Sequence, residues 1–550
     1  MNTIREYGNK RRKARGIGGF MSGVLVLSLS TVLVKLIGLA VKIPLISILG
    51  AEGMGYFNSA YEIYAMLCVI ATAGLPTALA MVVSSSAERG DYDSANRAYK
   101  SALKIFLLLG ALGSGAMTVF FREIASAIGN KEAGYCILSI APSLLLICVS
   151  SAVRGYFQGF GDMTPTAVSQ LIEALGKLIF GVGFGVLAKR AGMSLSVASA
   201  MSVLGVTVGI FISGAYLLVT KKHRGFSAEG AGRGSAKSKI TERLLKIAFP
   251  ITVSSAIISS CRIADMALIL RRLQSGGFSA VEANEIYGAY TTLAVPVFSL
   301  IPSLITPISL SLIPGISAAV EGKKGEGAAL VTDKAIRLTA LLAMPASMGI
   351  ALYARPILSL LFSGESDAVN IAAPLLAILG MSVIFSGLIT TTNAILQAYG
   401  HTVIPIASML VGTAVKIALA YVLIGNPNIG ALGAPISTLA CDLTVSVINL
   451  FMIGKSTPKS EKSSGIFSVY GRPFCASAAA MLLSYGVYCV LLSVTDSERL
   501  AFMPAFACAV VVYVAAAFLF RAVEREDLAE IPILGRLLKT CKKRQKDEIQ

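Results

Sequence analysis

The stretch RGYFQGFGDMTPTAVSQLIEALGK (154–177) returns as NAILQAYGHTVIPIASMLVGTAVK (393–416) at a constant offset of 239 residues. That offset pairs Gln158 with Gln397, Gly161 with Gly400 and Lys177 with Lys416, while Pro165 and Pro405 slip by one. A second match lays AYEIYAMLCVIATAGLPTALAMVVSSSAERGD (60–91) over AYTTLAVPVFSLIPSLITPISLSLIPGISAAVEGKKGE (289–326). Most of the chain thus reads as two copies of one apolar unit.

The surroundings of the repeat say what kind of unit it is. Of 550 residues, 55% are hydrophobic and only 14% charged, and the mean hydropathy is +0.74. A soluble globular chain carries about 25% charged residues, so soluble enzymes, disordered proteins and secreted disulfide scaffolds are excluded. The 52 Gly and 17 Met suit tightly packed helices in lipid. A membrane span needs roughly 20 apolar residues. That rule predicts helices near 20–49, 57–85, 98–121, 133–153, 165–188, 194–219, 244–270, 286–316, 330–353, 368–398, 404–424, 432–453, 473–494 and 500–520.

The expected fold is therefore an all-α polytopic membrane protein of fourteen transmembrane helices, two six-helix lobes plus two C-terminal helices. The expected divisions are a basic cytoplasmic N-tail 1–19, an N-lobe 20–219, a Gly/Ser/Lys-rich cytoplasmic linker 220–243, a C-lobe 244–453, a cytoplasmic loop 454–472, the last two helices 473–520 and a cytoplasmic C-tail 521–550. The first apolar run is too long for a cleavable signal and reads as a retained helix.

The net charge of +18 does not point to nucleic acid, because the charge sits between the apolar segments. One face of this topology, helix ends included, carries 35 Lys and Arg and the other 8, with five deeper inside helices. The positive-inside rule then places both termini in the cytoplasm of a cell-membrane protein. With no Trp, two histidines (His223 and His401) and no zinc-type cysteine spacing, neither a metal centre nor any other cofactor is expected. Eight of the nine cysteines fall in apolar segments and read as small buried hydrophobes; Cys541 lies in the tail.

Ionisable groups at helix centres cost at least about 2.5–3.5 kcal/mol each, so each needs a reason. The basic ones are Lys35, Lys42, Lys177, Arg262 and Lys416; the acidic ones are Glu62, Glu173, Asp265 and Asp442. Lys35 and Lys42, seven residues apart, share a face about 10 Å apart with no acid on that helix. They read either as point charges for a phosphate or pyrophosphate, or as a snorkelling lysine and a lysine paired across helices. Arg262 and Asp265 meet on one face: a self-contained ion pair, or an anion-binding arginine beside a site for a coupling proton or ion. Glu173 and Lys177, four apart, favour a structural pair, although Lys177 remains a cavity candidate. Lys416 has two readings, a partner for Asp442 or a cavity residue. Glu62 is either interfacial or a gate. Taken together, the basic excess favours an anionic substrate.

Pro44 is expected to bend the outer part of the first helix. Pro76, Pro302, Pro307 and Pro314, with Gly74 and Gly315, lie within the second and eighth helices, as hinges between states or as static kinks. No phosphate-binding loop, nucleophile elbow or zincin motif is present, so ATP hydrolysis and covalent catalysis lack support and the chain reads as no enzyme. Repeated halves place transporter substrate sites at their interface near the midplane.

VKLIGLAVKIPLISILGAEGMGYFNSAY (34–61), SSSAERGDYDSANR (84–97) and VRGYFQGFGDMTPTAVSQLIEALGK (153–177) resemble the MurJ-type lipid II flippases. The branch they resemble is that of YtgP and stage V sporulation protein B, within the multidrug/oligosaccharidyl-lipid/polysaccharide (MOP) exporter superfamily. The resemblance spans essentially the whole chain. It implies two lobes around a cationic cavity and alternating access that moves undecaprenyl-pyrophosphate-linked peptidoglycan precursor to the outer leaflet. It also implies a hydrophobic groove for the lipid tail at the last two helices and a role in cell-wall biogenesis, cell shape or sporulation. The family's first-helix basic cluster maps onto Lys35 and, with a one-residue slip, Lys42. Asp265 resembles the acid associated with a coupling ion, Na+ or H+. Tyr290 stands where several members carry an arginine, and lysine replaces a bidentate arginine clamp in the first helix.

The expected partners are a lipid-linked oligosaccharide and membrane lipids, with no nucleic acid and a monomer as the default. A flippase for another lipid-linked polysaccharide unit is the alternative. A cation-coupled multidrug exporter fits less well, because such exporters have twelve helices and typically need an acidic pocket.

Overall fold

The computed structural model describes residues 17–223, 237–321, 325–456 and 467–522. The basic N-terminal cluster, the centre of the linker, most of the 454–472 loop and the C-tail with Cys541 lie outside the described residues. Among those described, the regular elements are α-helices with short 3-10 and π turns, and no strand occurs. The cause is the solvent: hydrocarbon offers no partner for backbone N–H and C=O, so a spanning segment satisfies them within itself.

Twelve helices among the described residues are long and apolar enough to cross a membrane. The first of these, Ser30–Glu88, contains more than one helix. Gly50, at φ 68 and ψ 178, joins two helices inside Ile17–Thr72, and a bend at Ala73 separates Gly74–Glu88. The expected seventh span falls within Lys237–Ser275, which is not one of the twelve. Helix length and composition alone therefore reach twelve crossings, not fourteen.

The chain forms two compact units: Met1–Pro296 with Ile417–Ala434, and Val297–Lys416 with Pro435–Gln550. In the first, Gly134–Gly159 packs against Tyr92–Val119 and Leu195–His223 around the fully buried Phe106, Ile137, Ile140, Leu144, Phe157 and Ile210.

One crossing in this unit is dictated by glycine. A Cβ on Gly176 would lie 2.5 Å from Gly209 Cα, and one on Gly205 would lie 2.2 Å from Gly181 N. Gly205 and Gly209 are four apart, whereas Gly176 and Gly181 are five apart, and Lys177–Gly181 is a π-turn. The wider turn brings a five-residue spacing into register with a four-residue one, so two backbones touch at two points.

In the second unit, Gly325–Leu352 packs on Ser366–Ala398, and Arg472–Thr495 on Glu498–Leu519. Tyr353, Tyr488 and Phe502 form an aromatic cluster there, with ring centroids 5.4 and 5.6 Å from Tyr353.

Candidate functional site: a charge cluster in the first unit

The site grows from a flaw in one helix. After Ala280–Ala289 the backbone turns through a π-turn, Tyr290–Ala294, and continues as Val295–Glu321. The Val295 N–H is given to the Tyr290 carbonyl, and the next residue, Pro296, has no N–H to give. The Thr291 carbonyl is thereby left without its usual backbone donor. Lys42 supplies one: its Nζ donates to Thr291 O at 2.6 Å. The amide of Asn58 holds the turn from the other side, donating to Thr291 Oγ1 at 2.9 Å and Thr292 Oγ1 at 2.7 Å. Thr291 Oγ1 in turn donates to Tyr287 O at 2.7 Å. Tyr290, at the head of the turn, is buried.

Glu62 stands one helical turn beyond Asn58. Arg262 and Lys42 attract it and Asp265 repels it, while Arg262 also lies within electrostatic reach of Lys35. The fold thus brings Lys35, Lys42, Glu62, Arg262 and Asp265 into one cluster, three cations against two carboxylates. Tyr287, buried beside it, feels both Glu62 and Asp265. Lys35 and Arg262 are exposed, and Lys42, Glu62 and Asp265 half-buried. The Glu62 Oε2 atom is buried and meets no hydrogen-bond donor among the described residues.

Lys177 belongs to a different group. Glu173 lies between two cations, Lys177 Nζ at 3.0 Å and Arg154 Nη2 at 3.1 Å. Arg154 also donates to Ser169 Oγ at 3.0 Å and Ser213 Oγ at 3.3 Å. Lys177 reaches Tyr61 Oη at 3.5 Å. Arg154, counted from sequence among loop charges, is in fact mostly buried within Gly134–Gly159. The signal that could have found it was Glu173, a membrane carboxylate facing a second helix that carries one arginine.

In the second unit, Asp442 accepts from Ser382 Oγ at 2.6 Å and lies within electrostatic reach of Lys416. Further along the Asp442 helix, Asn449 accepts from Ser408 and donates to Thr392 and Asn393. Sequence reasoning missed Asn58 and Asn449, because a lone asparagine in an apolar run carries no charge signal.

The prolines fall variously. Pro44 lies inside Ile17–Thr72, where the non-helical residue is Gly50. Pro76 sits in the first turn of Gly74–Glu88, where a missing N–H breaks no helical bond. Pro307 lies in the helix Val295–Glu321, with its side chain outside the described residues. The second unit also holds a cavity of about 360 Å³, almost wholly apolar, lined by Tyr353, Met481, Phe502, Phe506, Val510 and Tyr513 among others.

The fold is that of a solved lipid II flippase MurJ in an inward closed conformation, with a TM-score of 0.67 at 16% identity over 90% of this chain and 99% of that one. Helices of membrane length, this fold and the two family models that match the chain together define the class: a polytopic membrane transporter of the MOP superfamily. The model of the family described as "Polysaccharide biosynthesis protein" matches residues 20–320, more than half of the chain, and the chain belongs to that family. A second model, MatE, matches residues 250–422. Stage V sporulation protein B of Bacillus subtilis (strain 168) is 25% identical over 535 residues, 94% of this chain and 99% of that protein. The lipid II flippase MurJ of the same organism is 26% identical over 420 residues, 72% and 76% respectively.

Proposed function

We propose that the protein flips an undecaprenyl-pyrophosphate-linked glycan, lipid II, from the inner to the outer leaflet of the cell membrane by alternating access. The observation that carries this reading is the cluster that gathers Lys35, Lys42 and Arg262 about the carboxylates of Glu62 and Asp265 inside apolar helices. A net positive group inside apolar helices is costly without an anion, and a pyrophosphate is the anion such a lipid brings. Lys42, held by one of its three donors on Thr291, keeps two for the phosphate oxygens.

The relative and the solved structure named for lipid II flipping support the same substrate class. The apolar cavity beside Phe502 and Tyr513 suits part of a polyprenyl tail. In this reading Ser30–Glu88 crosses twice and Lys237–Ser275 once, which restores fourteen crossings as two six-helix lobes and two added helices, with both termini cytoplasmic. Asp265 is the candidate for a coupling ion, and the working form is a monomer. A flippase for another lipid-linked polysaccharide unit is favoured by one observation, the description of the family whose model matches 20–320.

Complementation under depletion of the cell's own lipid II flippase tests the reading, with outer-leaflet lipid II followed directly. Wild type is expected to restore exposure, and the Lys35→Ala/Lys42→Ala double variant at matched membrane level is expected to fail. Wild type inserted but inactive would move the substrate to another lipid-linked glycan. An active double variant would remove the anion site.

A further inference from the structure

We infer that Glu62 is a proton-binding group built into the anion site, and that it takes up a proton when the pyrophosphate arrives. This inference rests on the anion-site reading above.

Without ligand, Lys42 and Arg262 offset the carboxylates of Glu62 and Asp265, and Lys35 lies within reach of Arg262. A doubly negative pyrophosphate diester adds two negative charges beside them. It also engages the cations, Lys42 and Arg262, that attract the Glu62 carboxylate. Glu62 is then left facing two negative neighbours, the ligand and Asp265, in surroundings where such repulsion is weakly screened. A proton on one carboxylate relieves it.

Glu62 offers the proton a place: its Oε2 is buried and meets no hydrogen-bond donor among the described residues, so no donor there holds that oxygen in its charged form, and a proton fits it. Asp265 Oδ1 is buried in the same way, so Asp265 is the rival that the test separates; Glu62 is preferred because the two cations that attract it, Lys42 and Arg262, are the ones the ligand engages. The groups that act on Glu62 are identified from each element around it: Lys42 from the helix on the other side of Gly50, and Arg262 and Asp265 from Lys237–Ser275. Tyr287, from Ala280–Ala289, is the buried neighbour that feels both acids. Lys177 is occupied elsewhere, by Glu173 and Tyr61. Binding of ligand and proton is then mutually reinforcing, so the affinity of the site for the lipid depends on the pH of the side to which it is open.

The test measures proton uptake on binding undecaprenyl pyrophosphate to the full chain in nanodiscs, by calorimetry in buffers of different ionisation enthalpy. Wild type, Glu62→Gln and Asp265→Asn are compared, so that protons belonging to the ligand cancel. Wild type is expected to take up more protons than Glu62→Gln. Its affinity is expected to rise as pH falls, by up to about tenfold per pH unit, and Glu62→Gln is expected to flatten that dependence. Equal uptake in wild type and Glu62→Gln overturns the inference alone. So does uptake that persists in Glu62→Gln and vanishes in Asp265→Asn. Absence of binding by folded wild type overturns the anion site itself, and the proton site with it. Should Glu62→Gln fail to fold, the infrared difference spectrum of wild type decides: a new carboxylic-acid carbonyl band on ligand addition supports the inference, and its absence overturns it.

Discussion

The ammonium of Lys42 caps the carbonyl of Thr291 at 2.6 Å, joining residues 249 positions apart in the chain. A lysine that looks free in sequence is thus oriented by a backbone group whose usual donor was lost to a π-turn and a proline. Asn58 holds that turn by two hydrogen bonds. Asn58→Ala removes both, at roughly 0.5–1.5 kcal/mol each, and lets Lys42 move. We expect a loss of thermal stability together with a several-fold weaker affinity for an isoprenoid pyrophosphate, read by thermal shift and by binding in nanodiscs. An unchanged affinity would show that the turn does not position Lys42.

Glu173 carries two half-buried cations, so its removal is expected to cost more than that of either partner. Breaking a buried ion pair costs about 3–5 kcal/mol. Glu173→Ala is expected at or above that range, and Arg154→Met below it. A double-mutant cycle on unfolding in detergent measures both, and additive costs would show that the pair is uncoupled.

The contact of Gly205 with Gly181 leaves no room for a methyl group, since its Cβ would meet the backbone at 2.2 Å. Gly205→Ala must push the π-turn Lys177–Gly181 away, at about 1–3 kcal/mol or more. Lowered thermal stability is expected, whereas Gly486→Ala, with open space around its Cβ, should be nearly neutral.

Asp442 and Lys416 compensate each other within the second unit. Lys416→Met leaves the carboxylate without that cation, and Lys416→Met/Asp442→Asn removes the burden. The double variant is expected to recover much of the membrane level and stability lost in the single one. Equal defects in both would mean that Lys416 serves something other than Asp442.

Asp91 caps Tyr92–Val119, accepting from Ser94 N at 2.9 Å. The hydrogen bonds from Ser94 hold its carboxyl below the usual carboxylate value. A lowered folded pKa means stabilisation that is complete above the ordinary carboxylate range, about pH 4, and is lost as pH falls through the lowered value. Hydrogen exchange in the first turn should therefore accelerate at acidic pH. Asp91→Ala should accelerate it at neutral pH as well, consistent with a cap contribution of about 1 kcal/mol, and Asp91→Asn should remove the acid dependence while keeping most of the cap.

Much of this molecule was legible before any coordinates. Glu173 and Lys177 were expected to pair because four residues on a helix bring side chains together, and they do at 3.0 Å. For Lys416 the sequence allows two readings, and the structure places it within electrostatic reach of Asp442. Arg154 was misjudged as a loop charge because hydropathy windows end a helix at its first arginine. Asn58 was invisible because its role depends on Thr291 and Thr292, far along the chain. Length and composition alone reach two spans fewer: Ser30–Glu88 runs on across Gly50 where hydropathy reads two apolar runs, and Lys237–Ser275 is not among the twelve.

The sequence by itself determined the solvent and the class of secondary structure. With 55% hydrophobic residues in runs of membrane length, the backbone has no choice but helix. It also determined which residues must be explained, since each charge in those runs carries its own insertion cost. Only the tertiary structure decided which charges answer one another. Lys35 and Lys42, Glu62, and Arg262 with Asp265 are drawn from three helices that one-dimensional periodicity cannot relate, and the π-turn that tethers Lys42 at Thr291 lies on a fourth. Periodicity reports the face of one helix. Neighbourhood depends on how close two backbones can come, and in this protein glycines and π-turns set that approach.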